Sequence, residues 1–179
     1  MRLRHMLCLA AAATAVVGFG LRSSHAAELF SPDVSFMKDA AQAGHYEIQA
    51  AKIALARSSN PRIADFARMM ITDHEQLSQE LSALARARDV ELPADPSLMQ
   101  RGKLTLLKGK EGEAFDADYA EQAAVKAHED TIKLFEDYLK KGKDKEVMGF
   151  AQDALPLLRK HLQHAHTLAD SMKSAMAAA

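Results

Sequence analysis

The sequence predicts an all-α domain of four long helices packed as a bundle. Three observations predict it. From about residue 31 onward the chain is rich in Ala, Leu, Met, Lys, Glu and Gln and has few β-branched runs, a helix-forming composition. Four stretches place apolar residues at every third or fourth position, the period of a helix face. Between them stand breakers: Ser58-Ser59-Asn60-Pro61, Pro93 with Pro96, Gly109 with Gly112, and Gly142.

The elements follow in order. Ser31 is the expected N-cap of the first helix, with Pro32 in its first turn. Its face is Phe36, Ala40, Ala43, Glu47, Ala50 and Ala54, small residues that allow close approach of a neighbour. Ser58 to Pro61 ends this helix and caps the second. The second carries Ile63, Phe66, Ala67, Met70, His74, Leu77, Leu81 and Leu84, and runs to about Arg88. Residues 89–97 read as a loop, and Leu98 to Leu107 as a short helix closed by Gly109 and Gly112. The third long helix starts near Glu113 or Phe115, shows Val125, His128, Ile132, Phe135 and Leu139, and stops at Gly142. The fourth starts near Asp144, with Val147, Ala151, Ala154, Leu158, His161, Ala165, Leu168 and Met172 on one face. Pro156 lies inside it and is expected to kink it, because proline removes the bond to the carbonyl of residue 152.

The first two helices are joined tightly, as are the last two, and about 25 residues connect the pairs. Two hairpins joined by a long crossover is the ferritin-like form of the four-helix bundle. A simple up-down-up-down bundle needs only a short loop at that point.

The first residues, MRLRHMLCLAAAATAVVGFGLRSSHAAELF, have the three parts of a secretory leader. Arg2, Arg4 and His5 are its positive region, Leu7 to Phe19 its apolar core, and Ser24-His25-Ala26 its small-residue cleavage site. Cleavage is expected after Ala26, with Ala27 the neighbouring choice and retention as an anchor the alternative. The apolar run falls short of the ~20 residues that span a bilayer. The only cysteine, Cys8, lies in the leader, so the exported domain has no disulfide, thiol nucleophile or thiolate ligand. Residues 27–179 remain as one domain of 153 residues, with a periplasmic or secreted location. Losing Arg2, Arg4 and Arg22 from 23 basic residues leaves 20 against 24 acidic ones, a net of −4. That balance points away from nucleic acid and from an anionic membrane surface. No stable membrane span is expected after cleavage, and a homo-oligomer is compatible with the sequence.

Each long helix breaks its apolar stripe with one polar, ligand-type residue: Glu47, His74, His128 and His161. At ~1.5 Å per residue these lie roughly 18–27 Å from their hairpin turns, near the middle of helices ~40 Å long. One carboxylate and three imidazoles at one level of a bundle core suit a divalent metal: zinc, iron, copper or manganese. Asp73 is a fifth ligand or the residue that orients an imidazole. The competing expectation is a hydrogen-bonded polar layer that fixes helix register without metal. His45, His164, His166, Glu75, Glu129 and Asp130 are expected away from this layer. The residues three before the histidines are Ile71, Val125 and Leu158, so the Glu-x-x-His motif of carboxylate di-iron bundles is absent.

The stretches FMKDAAQAGHYEIQAAKIALARSSNPRIADFARMMITDHEQLSQELSALA, EAFDADYAEQAAVKAHEDTIKLFE and FAQDALPLLRKHLQHAHTLA resemble a bacterial exported family known only as a domain of unknown function. The most specific pieces are FA-x-MM-x-x-DH and FD-x-x-Y followed by a histidine. The family is grouped with ferritin-like bundles and its members are often labelled membrane proteins. The resemblance covers most of residues 36–169 and matches Glu47, His74, His128 and His161 to recurrent polar positions. It implies a fold and a compartment, but no reaction.

Three functions compete. The first is a periplasmic metal-binding or stress-related bundle using the His/Glu layer. The second is a non-metal interaction or small-ligand module, for which exposure of Met69, Met70 or Met99 would speak. The third is an enzyme. The sequence leans against it, with no Gly-x-Ser-x-Gly turn or phosphate loop, and with Asp73 and His74 pointing ~100° apart on one helix.

Overall fold

The structure, a computed structural model, describes residues 31–177; the expected leader lies outside the described residues. The described chain is helical, with no strand. Its elements are α1 (Ser31–Arg57), α2 (Pro61–Arg86), α3 (Leu98–Lys108), α4 (Gly112–Asp118), a π-helical segment (Tyr119–Lys126), α5 (Ala127–Leu139) and α6 (Lys145–Ala177). The π-helical segment joins α4 to α5, so these three make the third long rod of the bundle. Ser31, expected as a cap, is already helical. Asn60 caps α2 as expected: its side chain accepts from the Arg62 backbone N–H at 3.0 Å, and Pro61 opens the helix.

Rod directions follow from which residues pack together. One half of the core gathers Ala50 and Ala54 of α1, Ile63 to Met70 of α2, Phe115 and Tyr119 of the third rod, and Ala165 to Met172 of α6. The other half gathers Phe36 and Met37, Leu81 and Ala85, Phe135 and Tyr138, and Val147 to Leu158. So α2 and the third rod run in the same direction, and the chain between them must travel the length of the bundle. Residues 87–111 do so, and α3 lies within them against α1 and α4. Helix α1 packs on α2 and α5, and α6 packs on the same two.

Every expected face residue of α1 and α6 is buried. Helix α6 continues unbroken through Pro156. Both Pro156 and Gln152 are exposed, so the carbonyl that proline leaves without a partner faces water. At the foot of α5, Tyr138 is buried where Leu139 was the expected face residue. The Tyr138 ring stacks on Phe36 at 3.9 Å, and its hydroxyl donates to Asp33 at 2.7 Å. Asp33 also accepts the backbone N–H of Lys143 at 3.0 Å, which ties α1 to the α5–α6 turn.

Gly142 is required there by space. A Cβ on it would lie 2.6 Å from the Tyr138 ring. Gly142→Ala should therefore cost about 1–3 kcal/mol, as overpacking does. A thermal melt checks this, with an expected fall of roughly 2–4 °C per kcal/mol. An unchanged melting temperature would show that the Tyr138 ring is free to move.

Candidate metal centre

The two halves of the core meet at a polar layer. Glu47 from α1, His74 from α2, His128 from α5 and His161 from α6 are 3%, 2%, 1% and 0% exposed. Each stands one helical step beyond the apolar residues of its own stripe: Ala43 before Glu47, Met70 before His74, Val125 before His128, Leu158 before His161. Residues at similar depth in the four rods come to one level. The three imidazole centroids lie 5.3–5.5 Å apart. Each ring offers a nitrogen within 4.8 Å of the nitrogens offered by the others.

The outer nitrogen of each ring is already engaged. His128 Nδ1 lies 2.8 Å from the carbonyl of Ala124. A carbonyl only accepts, so Nδ1 carries a proton, and in the neutral ring Nε2 holds the lone pair. His161 Nε2 lies 2.8 Å from Asp73 Oδ2, which fixes its proton on Nε2 and leaves the lone pair on Nδ1. His74 Nδ1 lies 3.0 Å from Glu47 Oε2, an approach that misses good hydrogen-bond geometry but still favours a proton on Nδ1. Thr131 donates its hydroxyl to Glu47 Oε1 at 3.2 Å. What remains are His74 Nε2, His128 Nε2 and His161 Nδ1, all buried and without a hydrogen-bond partner. Three buried acceptors of the same sign, on rings whose centroids lie 5.3–5.5 Å apart, form no bonds among themselves. A cation is the species that satisfies all three at once.

Burial lowers the affinity of two of these rings, His161 and His74, for protons. It pushes His161 down to about 4, against the opposing pull of Asp73, and it lowers His74 as well, against Glu47. Both rings are therefore neutral at pH 7, the form that ligates metal. The stability consequence has a definite sign. Below an unfolded value of 6.5 the unfolded chain takes up protons that the folded chain refuses. Stability that is complete above 6.5 is thus lost as pH falls toward about 4. We expect the melting temperature of metal-free protein to drop across that window, and to drop less in His161→Leu, which lacks the titrating ring. Equal slopes in the two proteins would remove His161 as the cause.

Of the five residues expected at the site, His74, His128 and His161 come together, and Glu47 and Asp73 stand behind two of them at the outer nitrogens. Asp73 keeps 30% side-chain exposure, so it links the layer to solvent. Two contributors escaped the sequence reading. Thr131 lies one turn beyond His128 on the same face, a spacing that was available as a signal. The Ala124 carbonyl is backbone and leaves no mark in sequence. His164 and His166 are exposed, and His45 turns to the Pro93 carbonyl at 3.1 Å, so all three lie outside the layer. Beside Glu47 and His74 is a cavity of about 20 Å³, lined also by Gly44, Ser78, Thr131 and Leu158. That is room for about one water and no organic substrate.

A family model described as Domain of unknown function (DUF4142) matches residues 20–168. Comparison with curated proteins and with solved structures finds no match.

Proposed function

We propose, for a chain that belongs to the DUF4142 domain family, that it is an exported bundle holding one divalent transition metal ion on His74, His128 and His161. The observation that carries this reading is the set of three buried, unpartnered imidazole nitrogens, each fixed as an acceptor by an anion or carbonyl behind its ring. That outer arrangement is how metal-binding histidines are held in general. Glu47 and Asp73 act as the orienting groups, and their two negative charges balance a divalent ion in a layer that meets solvent through Asp73. Imidazole donors without thiolate suit zinc, copper or iron. The small cavity favours storage, sensing or structural use of the ion over chemistry on an organic substrate.

The leader-like residues before Ala27 support export to the periplasm or beyond. The parallel run of α2 and the third rod, with its long crossover, supports a ferritin-like relationship. No helix among the described residues is long and apolar enough to cross a membrane.

Elemental analysis of untagged mature protein tests the proposal. The expected result is close to one metal ion per chain, lost in a His74→Ala/His128→Ala double variant. Protein that stays metal-free after loading with zinc, copper, iron and manganese in turn would reduce the layer to a register device.

A further inference from the structure

Among the described residues the three most exposed large apolar side chains all belong to α3: Leu98 at 79%, Met99 at 75% and Leu106 at 72% exposure. The other face of the same helix supplies Leu104 and Leu107 to the core. Helix α3 is thus apolar on two sides. Leu98, Gly102 and Leu106 follow one another at four-residue steps, and Met99 lies one turn before Gly102 and Lys103, so the exposed apolar residues form one ridge. The helical angle places Lys103 on one side of this ridge and Arg101 and Lys108 on the other. All three cations are exposed, and Lys103 has only a 4.0 Å approach to Asp130. The helix contains no acidic residue; Asp95 and Glu111 lie beyond its two ends.

We infer that α3 is a docking ridge for an anionic lipid surface. An apolar centre with cations along both edges is the layout of a helix lying in a bilayer interface, with the apolar residues at the acyl boundary and the long cationic side chains at headgroup level. A second copy of this chain fits the ridge poorly, because pairing two such ridges about a twofold axis sets cations against cations. The net negative charge of the whole chain does not oppose the docking, since α3 itself carries no acid, Asp130 beside it meets only Lys103, and the surface potential acts within a Debye length. The contact would hold the bundle against a membrane without any spanning segment. It is independent of the metal layer.

The chain has no tryptophan, so Leu106→Trp places one reporter on the ridge. The test mixes mature Leu106→Trp protein with vesicles of phosphatidylcholine alone or of phosphatidylcholine with phosphatidylglycerol. The expected result is a blue shift and co-sedimentation with the anionic vesicles only, weakened by salt. In the wild-type background, Arg101→Gln and Lys108→Gln should each weaken co-sedimentation on the order of fivefold, and Leu98→Gln/Met99→Gln should abolish it. All of these residues are exposed, and unchanged thermal melts would confirm that the variants fold. No blue shift at low salt, equal binding to both vesicle types, or a lipid-free dimer that Leu98→Gln dissociates would each overturn the inference.

Discussion

His161→Ala should lose the metal-dependent part of the protein's thermal stability while remaining folded. An ion present at a thousand times its dissociation constant stabilises the folded state by ~4 kcal/mol. In a chain of this size that is roughly 8–16 °C between the metal-free and zinc-loaded melts. Removing an orienting group costs ~10–100-fold in affinity, and removing one of three ligands should cost more, on the order of a thousandfold. The gap between the two melts then closes. His161 is the best of the three to remove. Its outer partner Asp73 is 30% exposed and can be hydrated once the ring is gone. The variant therefore bears mainly the cavity left by a fully buried ring, about 2–3 kcal/mol. His74→Ala is a poorer probe, since it abandons Glu47 at 2% side-chain exposure and adds the cost of an uncompensated buried carboxylate. Paired scanning calorimetry with and without zinc reads both effects. A gap of wild-type size in His161→Ala would show that His161 does not hold the ion.

The helices and the level of the histidines were legible because both depend on spacing. A stripe such as Val147, Ala151, Ala154, Leu158, His161 and Ala165 has one way to be buried, and all six are. Depth could be counted from the turns because Asn60-Pro61 and Gly142 mark them. The crossover was legible from its length. The π-helical segment was not read, although a trace of it exists. Phe115, Tyr119, Ala123, His128 and Ile132 are all buried, at steps of four and five residues, longer than the ~3.6 of an α-helix. A wider turn keeps such residues on one side of the rod, and it delivers His128 to the layer. The division of labour between ligand and orienting group was also hidden. Glu47 and the histidines share one stripe and one depth, and only the direction of each ring separates inner from outer nitrogens. The ridge on α3 was obscured by averaging: a net charge over the whole chain says nothing of a helix that has three cations and no acids.

Glu47→Gln should move stability and affinity in opposite directions. In the metal-free protein Glu47 is a buried carboxylate whose partners are a neutral imidazole and the Thr131 hydroxyl. Replacing a buried charge with a neutral group of the same shape is often neutral or stabilising. The glutamine carbonyl can still accept from His74 Nδ1–H on the Oε2 side, while its NH2 takes the Oε1 side and donates to the Thr131 hydroxyl, which turns to accept. The metal-free variant should therefore melt at or above the wild-type temperature. With zinc the order reverses. The ion draws electron density from His74, and a carboxylate at the outer nitrogen sustains that better than an amide does. The layer also loses one of the two charges that balance the ion. Affinity should fall ~10–100-fold, or about 1.4–2.7 kcal/mol. Competition with a chromogenic chelator measures this, beside melts of the metal-free forms. A register layer without metal predicts something else: no zinc dependence in either protein, and a variant judged only by how well glutamine fits. Were Glu47 itself a ligand to the ion, the affinity loss would exceed a hundredfold. The size of the loss thus separates a carboxylate that touches the metal from one that holds the ring that does.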